Sequence, residues 1–304
     1  MRILVTGATG YIGSELIPRL AADGHDLAGF ARDPARLPPG IDPFAGDVVT
    51  GEGLDAALQG ANAAYFLVHS MEAAGNGASF AERDRRAATG FAEAANRAGV
   101  GRVVYLGGFV PAGAPPSEHL ASRLEVERIL LASAPGPVAL RASIVIGAGS
   151  RSFRLIVRLV ERMPVIPLPG WRERCTTPID GRDVVEYLAR AATEPAAAGR
   201  SLDIAGPDVL SLGELVERVR DHLLLDRPSL RVGLKATRLT GQFAAAIGGE
   251  DIELVGPLME GLGHDLLPRD DEAQRLFGIR QHSFDSAVER ALRSWEEREP
   301  LSAK

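Results

Sequence analysis

The chain is poor in residues that would commit it to several large classes of protein. Among its 304 residues there is one cysteine, Cys175, so no intramolecular disulfide can form and a reducing compartment is expected. Lysine is almost absent: of 34 basic residues, only Lys235 and Lys304 are lysine. No apolar run approaches the roughly 20 residues that span a bilayer. The opening Met1-Arg2-Ile3-Leu4-Val5-Thr6-Gly7 reaches glycine too soon for a secretory leader. A cytoplasmic location without a membrane partner is therefore expected. Positive charge is also lacking: at a net charge of −6 the chain offers no broad basic surface, which argues against nucleic acid as a partner.

What is present is ordinary for a soluble α/β protein, with 45% hydrophobic and 24% charged residues. The length suits one large α/β domain with an appended lobe, or two modest domains. Short apolar runs read as strands at 2–6, 25–31, 42–46, 63–68, 102–106, 137–141 and 201–204. Helical patterns separate them, at 11–22, at 79–98 and from an N-cap at Ser117 to about Ala132. This alternation predicts a doubly wound parallel sheet with helices on both faces. Beyond Gly149 the rhythm changes. Helices are expected at 152–162, 180–192 and 211–224, with a proline-rich loop at 164–169 and a mixed C-terminal stretch. The expected division is 1–162 plus 176–206 as the sheet domain. Residues 163–175 plus 207–304 would form a smaller, discontinuous substrate lobe over the carboxyl ends of the strands.

The first strand runs into Thr6-Gly7-Ala8-Thr9-Gly10-Tyr11-Ile12-Gly13, which opens the first helix. Glycines there allow a tight turn, close backbone approach to a pyrophosphate and close helix–strand packing, with the phosphates on the helix dipole. The motif predicts a dinucleotide site formed by Gly7, Thr9, Gly10, Tyr11, Ile12 and Gly13. The second strand ends Ala31-Arg32-Asp33, with Arg36 one turn on. Two guanidinium groups suit a 2′-phosphate and favour NADP(H), whereas Asp33 could bind a free ribose hydroxyl, leaving NAD(H) as second choice. Asp47, followed by Val48, is placed near the adenine, where its carboxylate could accept from the amino group or simply form a turn.

With that loop in place, the N-terminal half resembles the atypical, extended short-chain dehydrogenase/reductase superfamily in its NmrA-like branch. The whole chain resembles the bacterial YbjT-like NAD(P)-binding proteins most closely. The stretches Tyr65–Met71, Val145–Ser150, Thr176–Ile179 and Gly263–Leu267 carry the likeness. The resemblance implies a Rossmann domain with a small substrate lobe, and a group that includes both reductases and non-catalytic cofactor sensors. It also places Leu67, near the end of the fourth strand, and His69, just after it, close to the cofactor.

Typical members use a tyrosine, a lysine four residues later and a serine after the fifth strand. Here no such pair exists: Tyr11, Tyr65, Tyr105 and Tyr187 are followed at that distance by Glu15, His69, Phe109 and Ala191. Where the active-site helix should carry the pair, the chain has His119 and Arg123, one turn apart on one face. Gly107-Gly108 stands where the serine should be. Arg123 and the helix N-terminus both disfavour imidazolium, so His119 is expected to be neutral at pH 7 and to act as a hydrogen-bond donor. Both residues are alternatively ordinary residues of the site rim. Phe109, Arg172 and Arg174 are candidate substrate contacts. No His/Cys/Asp cluster has metal-ligand spacing and no Gly-x-Ser-x-Gly elbow occurs. The expected activity is NADPH-dependent reduction of a carbonyl in a small-molecule substrate by a monomer or homodimer, with a cofactor sensor or accessory protein as the alternative.

Overall fold

The computed structural model describes residues 1–68, 79–113, 115–168, 170–231 and 263–297. Strands β1 (Arg2–Thr6), β2 (Asp26–Ala31), β3 (Asp42–Ala45), β4 (Ala63–Phe66), β5 (Arg102–Gly108) and β6 (Val138–Ala142) appear where apolar runs predict them. With β11 (Arg200–Asp203) they form one seven-stranded sheet, ordered β11-β6-β5-β4-β1-β2-β3, every neighbouring pair parallel. The order reverses between β1 and β4, which opens a crevice at the carboxyl ends of those strands. β5 runs two residues further than expected, so Gly107 and Gly108 are its last residues rather than a loop.

Strand alternation sends side chains to two faces, and both are covered. Ile3, Val5, Tyr65 and Val104 pack under α1 (Tyr11–Ala22) and α6 (Gly181–Ala191). Leu4, Ala64, Phe66 and Val103 pack under α2 (Leu54–Leu58), α3 (Phe80–Arg97) and α4 (Glu118–Leu131). Capping chemistry sets the helix starts. Ser79 and Glu82 form a reciprocal capping box on α3, and the Ser117 hydroxyl accepts from Leu120 N–H on α4. Glu127 of α4 and Arg141 of β6 form a bidentate pair at 2.8 and 2.6 Å, both side chains under one tenth exposed. Glu127 also accepts from Ser201 at 2.5 Å, which ties α4 to β11.

A third apolar cluster forms the lobe. It joins α5 (Arg151–Arg162), α7 (Leu212–His222) and α9 (Phe284–Glu296), with Phe153, Val157, Leu215, Phe284 and Trp295 at its centre. This packing places α5 with the lobe, whereas the division expected from sequence puts it in the sheet domain. Conversely, α8 (Glu272–Phe277) packs Ala273 and Phe277 against the sheet's core. The stretch 164–169, expected as a loop, contains β8 (Ile166–Leu168), which pairs in parallel with β13 (Ser229–Arg231). Its proline hides an edge strand from a propensity reading. Two further short pairs are β7 (Val145–Ile146) with β10 (Ile179–Asp180), whose Ile179 lies in the sheet's core, and β9 (Cys175–Thr176) with β12 (Leu210–Ser211). No helix among the described residues is long and apolar enough to cross a membrane.

Candidate nucleotide-binding and active site

The register puts the predicted cofactor residues on one edge of the sheet. Thr6 at the end of β1 stands opposite Phe30 of β2 and Phe66 of β4, and Ala31 stands opposite Ala45 of β3. The glycine loop, Arg32, Asp47 and Leu67 therefore all follow neighbouring strand ends.

Each glycine of the loop has a distinct geometric reason. Gly7 has φ +74°, and a Cβ there would lie 2.6 Å from the Leu67 carbonyl oxygen. A Cβ on Gly13 would lie 2.3 Å from the Gly7 oxygen, so this glycine lets α1 press against the loop. At Gly10 the only neighbour is the Gly7 oxygen at 3.2 Å, and the loop exposes Thr9 and Gly10. Gly10 is the N-cap of α1, with no side-chain cap and no acid in the first turn. Among the described helices of eight residues or more, the others all begin on a serine or aspartate whose side chain caps them. The free N–H groups and positive dipole end of α1 are what a pyrophosphate needs.

Arg32 and Arg36 are exposed beyond β2. Asp33 Oδ1 accepts from Ala35 N–H at 3.1 Å, capping a short 3-10 turn. Asp47 Oδ1 likewise accepts from Val49 N–H at 2.6 Å, so its turn-forming role is realised, and Val48 beside it is buried. Ile12 and Leu67 pack partly against the core beneath the loop. His69 lies outside the described residues.

Tyr11 departs from its expected place. Its ring points away from the loop and into a slot formed by Gly147, Gly149 and Gly181, where added Cβ atoms would meet it at 1.7, 2.4 and 2.2 Å. Beside the slot, the buried Asp180 carboxylate binds Arg182 at 2.6 Å and Arg290 of α9 at 3.1 Å. Any contact of Tyr11 with a nucleotide is left to its backbone.

At the other end of the cleft, His119 is half-buried on the first turn of α4, and its pKa is pushed down to about 4. Burial is the main cause and the Arg123 guanidinium the second, with Asp84 of α3 opposing both. The sequence points in the right direction through Arg123, but the larger cause, burial, comes from the fold, and nothing local in the sequence brings Asp84 there. Arg123 donates from Nη2 to the Leu106 carbonyl and lies 5.1 Å from the centre of the Tyr105 ring. It is thus tied to β5, with further N–H donors remaining on its guanidinium. Burial raises the pKa of all four tyrosines, Tyr105 to about 12. A general acid at neutral pH needs the opposite shift. Among the described residues, no phenol replaces the missing one.

The proposed substrate contacts divide. Phe109 is 1% exposed, and its N–H donates to Ala142 O at 3.1 Å. It is a core residue joining β5 to β6, which corrects the expectation that it touches substrate. Arg172 pairs with neighbouring Glu173 at 2.8 Å, and Arg174 is exposed.

Comparison with known proteins agrees with this geometry. Residues 7–137 match a family model described as NAD(P)H-binding. An uncharacterized protein of Mycobacterium tuberculosis is 28% identical over 86% of this chain, which spans only 27% of that relative's length. A ceramide reductase of Caulobacter vibrioides is 25% identical, over 71% of this chain and 77% of the relative. Among solved structures, that of gox2253 superposes with a TM-score of 0.77 over 99% of both chains at 20% identity, a likeness of fold. Residues 7–137 are thus similar to an NAD(P)H-binding domain, and the chain as a whole has a Rossmann-like α/β fold.

Proposed function

We propose that the protein is an NADPH-dependent reductase with an atypical active site. Its substrate would be a ketone, quinone or enone in a small to medium organic molecule. The observation that carries this reading is the uncapped, acid-free N-terminus of α1 beside exposed Arg32, with Asp33 engaged in its own turn. The Caulobacter relative, named a reductase, supports carbonyl reduction. When bound, NADPH supplies hydride to the carbonyl carbon. The chain's part is to hold the phosphates on backbone N–H groups, neutralise the 2′-phosphate with arginine and orient the carbonyl. The proton for the resulting alkoxide comes from water or from an acidic hydroxyl of the substrate, since His119 is neutral and a poor acid.

Cofactor choice rests on Arg32. Arg32→Ala should weaken NADP(H) binding about thirtyfold, the equivalent of a charge-assisted contact of ~2 kcal/mol, and leave NAD(H) nearly unchanged. Calorimetry with both nucleotides checks this; an equal loss for both would overturn the NADP(H) reading.

His119 reports on the proton. If its imidazole only orients substrate, His119→Ala should lower turnover about tenfold or less; a loss of about 10² or more would make it the acid. With a folded pKa of about 4, His119 is already neutral where most imidazoles titrate. The pH profile of kcat/KM should therefore show no inflection near the usual value of about 6.5 that His119→Ala removes. Activity that depends on the neutral ring is lost only as pH falls through about 4.

The missing tyrosine–lysine pair favours a second reading, a sensor that binds NAD(P)(H) without turnover. Failure of a broad panel of ketones, quinones and enones to oxidise bound NADPH, followed by absorbance, would favour the sensor.

A further inference from the structure

Buried polar side-chain atoms almost always find partners, because an unpaired one forfeits its hydration. Three atoms within the segment Trp171–Thr177 break that rule: Trp171 Nε1, Thr176 Oγ1 and Thr177 Oγ1 have no hydrogen-bond partner among the described residues. Thr176 and Thr177 are only 1% and 3% exposed, so bulk water does not serve them.

Thr177 is fixed at an informative place. Ser143, the first residue beyond β6, donates its hydroxyl to the Thr177 carbonyl oxygen at 2.6 Å. The end of β5 is joined to the same point through Phe109 N–H and Ala142 O. Thr177 therefore sits against the carboxyl edge of the sheet, where β5 and β6 end side by side. Open α/β sheets take their ligands at that edge. It is also the end of the strand that offers Gly107 and Gly108 instead of a hydroxyl. Thr176, one residue earlier, is the last residue of β9, where it stands opposite Leu210 of β12 and Leu266.

We propose that Thr177 is a ligand-binding residue whose hydroxyl donates a hydrogen bond to a carbonyl oxygen, replacing the donor that β5 lacks. Two sources share this chemistry, the substrate's carbonyl and the carboxamide of the nicotinamide. No proton is transferred and no bond is made; the hydroxyl polarises and orients. The substrate arm rests on the reductase reading, and the cofactor arm does not.

Thr177→Val removes the hydroxyl while keeping the side chain's shape. Because the hydroxyl is unpaired without ligand, the variant's melting temperature should hold or rise. Two ligand readouts separate the sources. A rise of about tenfold in the NADPH dissociation constant points to the carboxamide. An unchanged constant with about a tenfold fall in kcat/KM for menadione or another reduced carbonyl probe points to the substrate. Thr177→Ser should restore whichever function is lost, and Thr176→Val should leave both unchanged. The proposal is overturned if Thr177→Val alters neither readout, or if its melting temperature falls by more than about 4 °C, the mark of a hydroxyl bonded within the protein. If the wild-type chain reduces no probe, the reductase reading fails, and an unchanged NADPH constant then overturns the Thr177 proposal as well.

Discussion

Gly10→Val protein is expected to fold and to lose both NADP(H) and NAD(H), with affinity falling by about two orders of magnitude or more. The two halves of that expectation come from different sides of one residue. Toward the protein, an added Cβ meets only the Gly7 carbonyl oxygen at 3.2 Å, a contact that a small shift relieves. Toward the outside, the residue is exposed at the mouth of α1, and a branched side chain would stand where the pyrophosphate must approach the N–H groups. Gly13→Val should behave differently. There the Cβ would lie 2.3 Å from the Gly7 oxygen and 2.9 Å from the Ala8 Cα, so folding itself should suffer. Circular dichroism separates the two variants, and calorimetry measures the binding. Native affinity in folded Gly10→Val would mean that the pyrophosphate does not lie over this turn.

The second large effect belongs to the buried pair under α4. Glu127→Ala removes both acceptors of Arg141 and leaves its guanidinium about nine-tenths buried, with Asp203 at 3.9 Å as the nearest remaining carboxylate. Stranding one charge of such a pair costs about 3–5 kcal/mol, because desolvation is no longer offset. Asp203 is already committed, since it holds Arg269 at 2.8 and 2.9 Å. Urea unfolding should report a loss in that range at an unchanged slope. A double variant with apolar residues of similar volume at 127 and 141 should recover most of it. A loss below about 1 kcal/mol for Glu127→Ala would show that water reaches the pair.

The sheet is legible in the sequence because its evidence is local. Ile3 and Val5 alternate with Leu4, Ser79 precedes Glu82 at capping-box spacing, and glycines punctuate β1 and α1. Each feature fixes a neighbour in sequence, so a pattern suffices. The glycine loop is equally local, and its three positions carry distinct spatial demands. The lobe is less legible because its cluster joins Phe153, Leu215 and Trp295, which only the fold brings together. Side-chain destinations are harder still. Tyr11 belongs to a nucleotide-binding motif yet inserts into a slot about 140 to 170 residues further along, at Gly147, Gly149 and Gly181. Phe109 follows the strand where a catalytic serine is usual, but its burial makes it core. For His119 the charge of Arg123 is visible one turn away, whereas the desolvation that dominates depends on what packs over it.

The glycine slot has a consequence for how this sequence can change over generations. Gly147, Gly149 and Gly181 each lack a side chain where the Tyr11 ring already stands. None of the three can acquire even a methyl group while the ring stays in place. The four positions should drift as one unit: a homologue with alanine at 147, 149 or 181 should carry a smaller residue at 11. A paired substitution should be tolerated where either single one is not. Tyr11 also begins α1, so this position of the glycine motif is constrained by the distant slot that its ring fills.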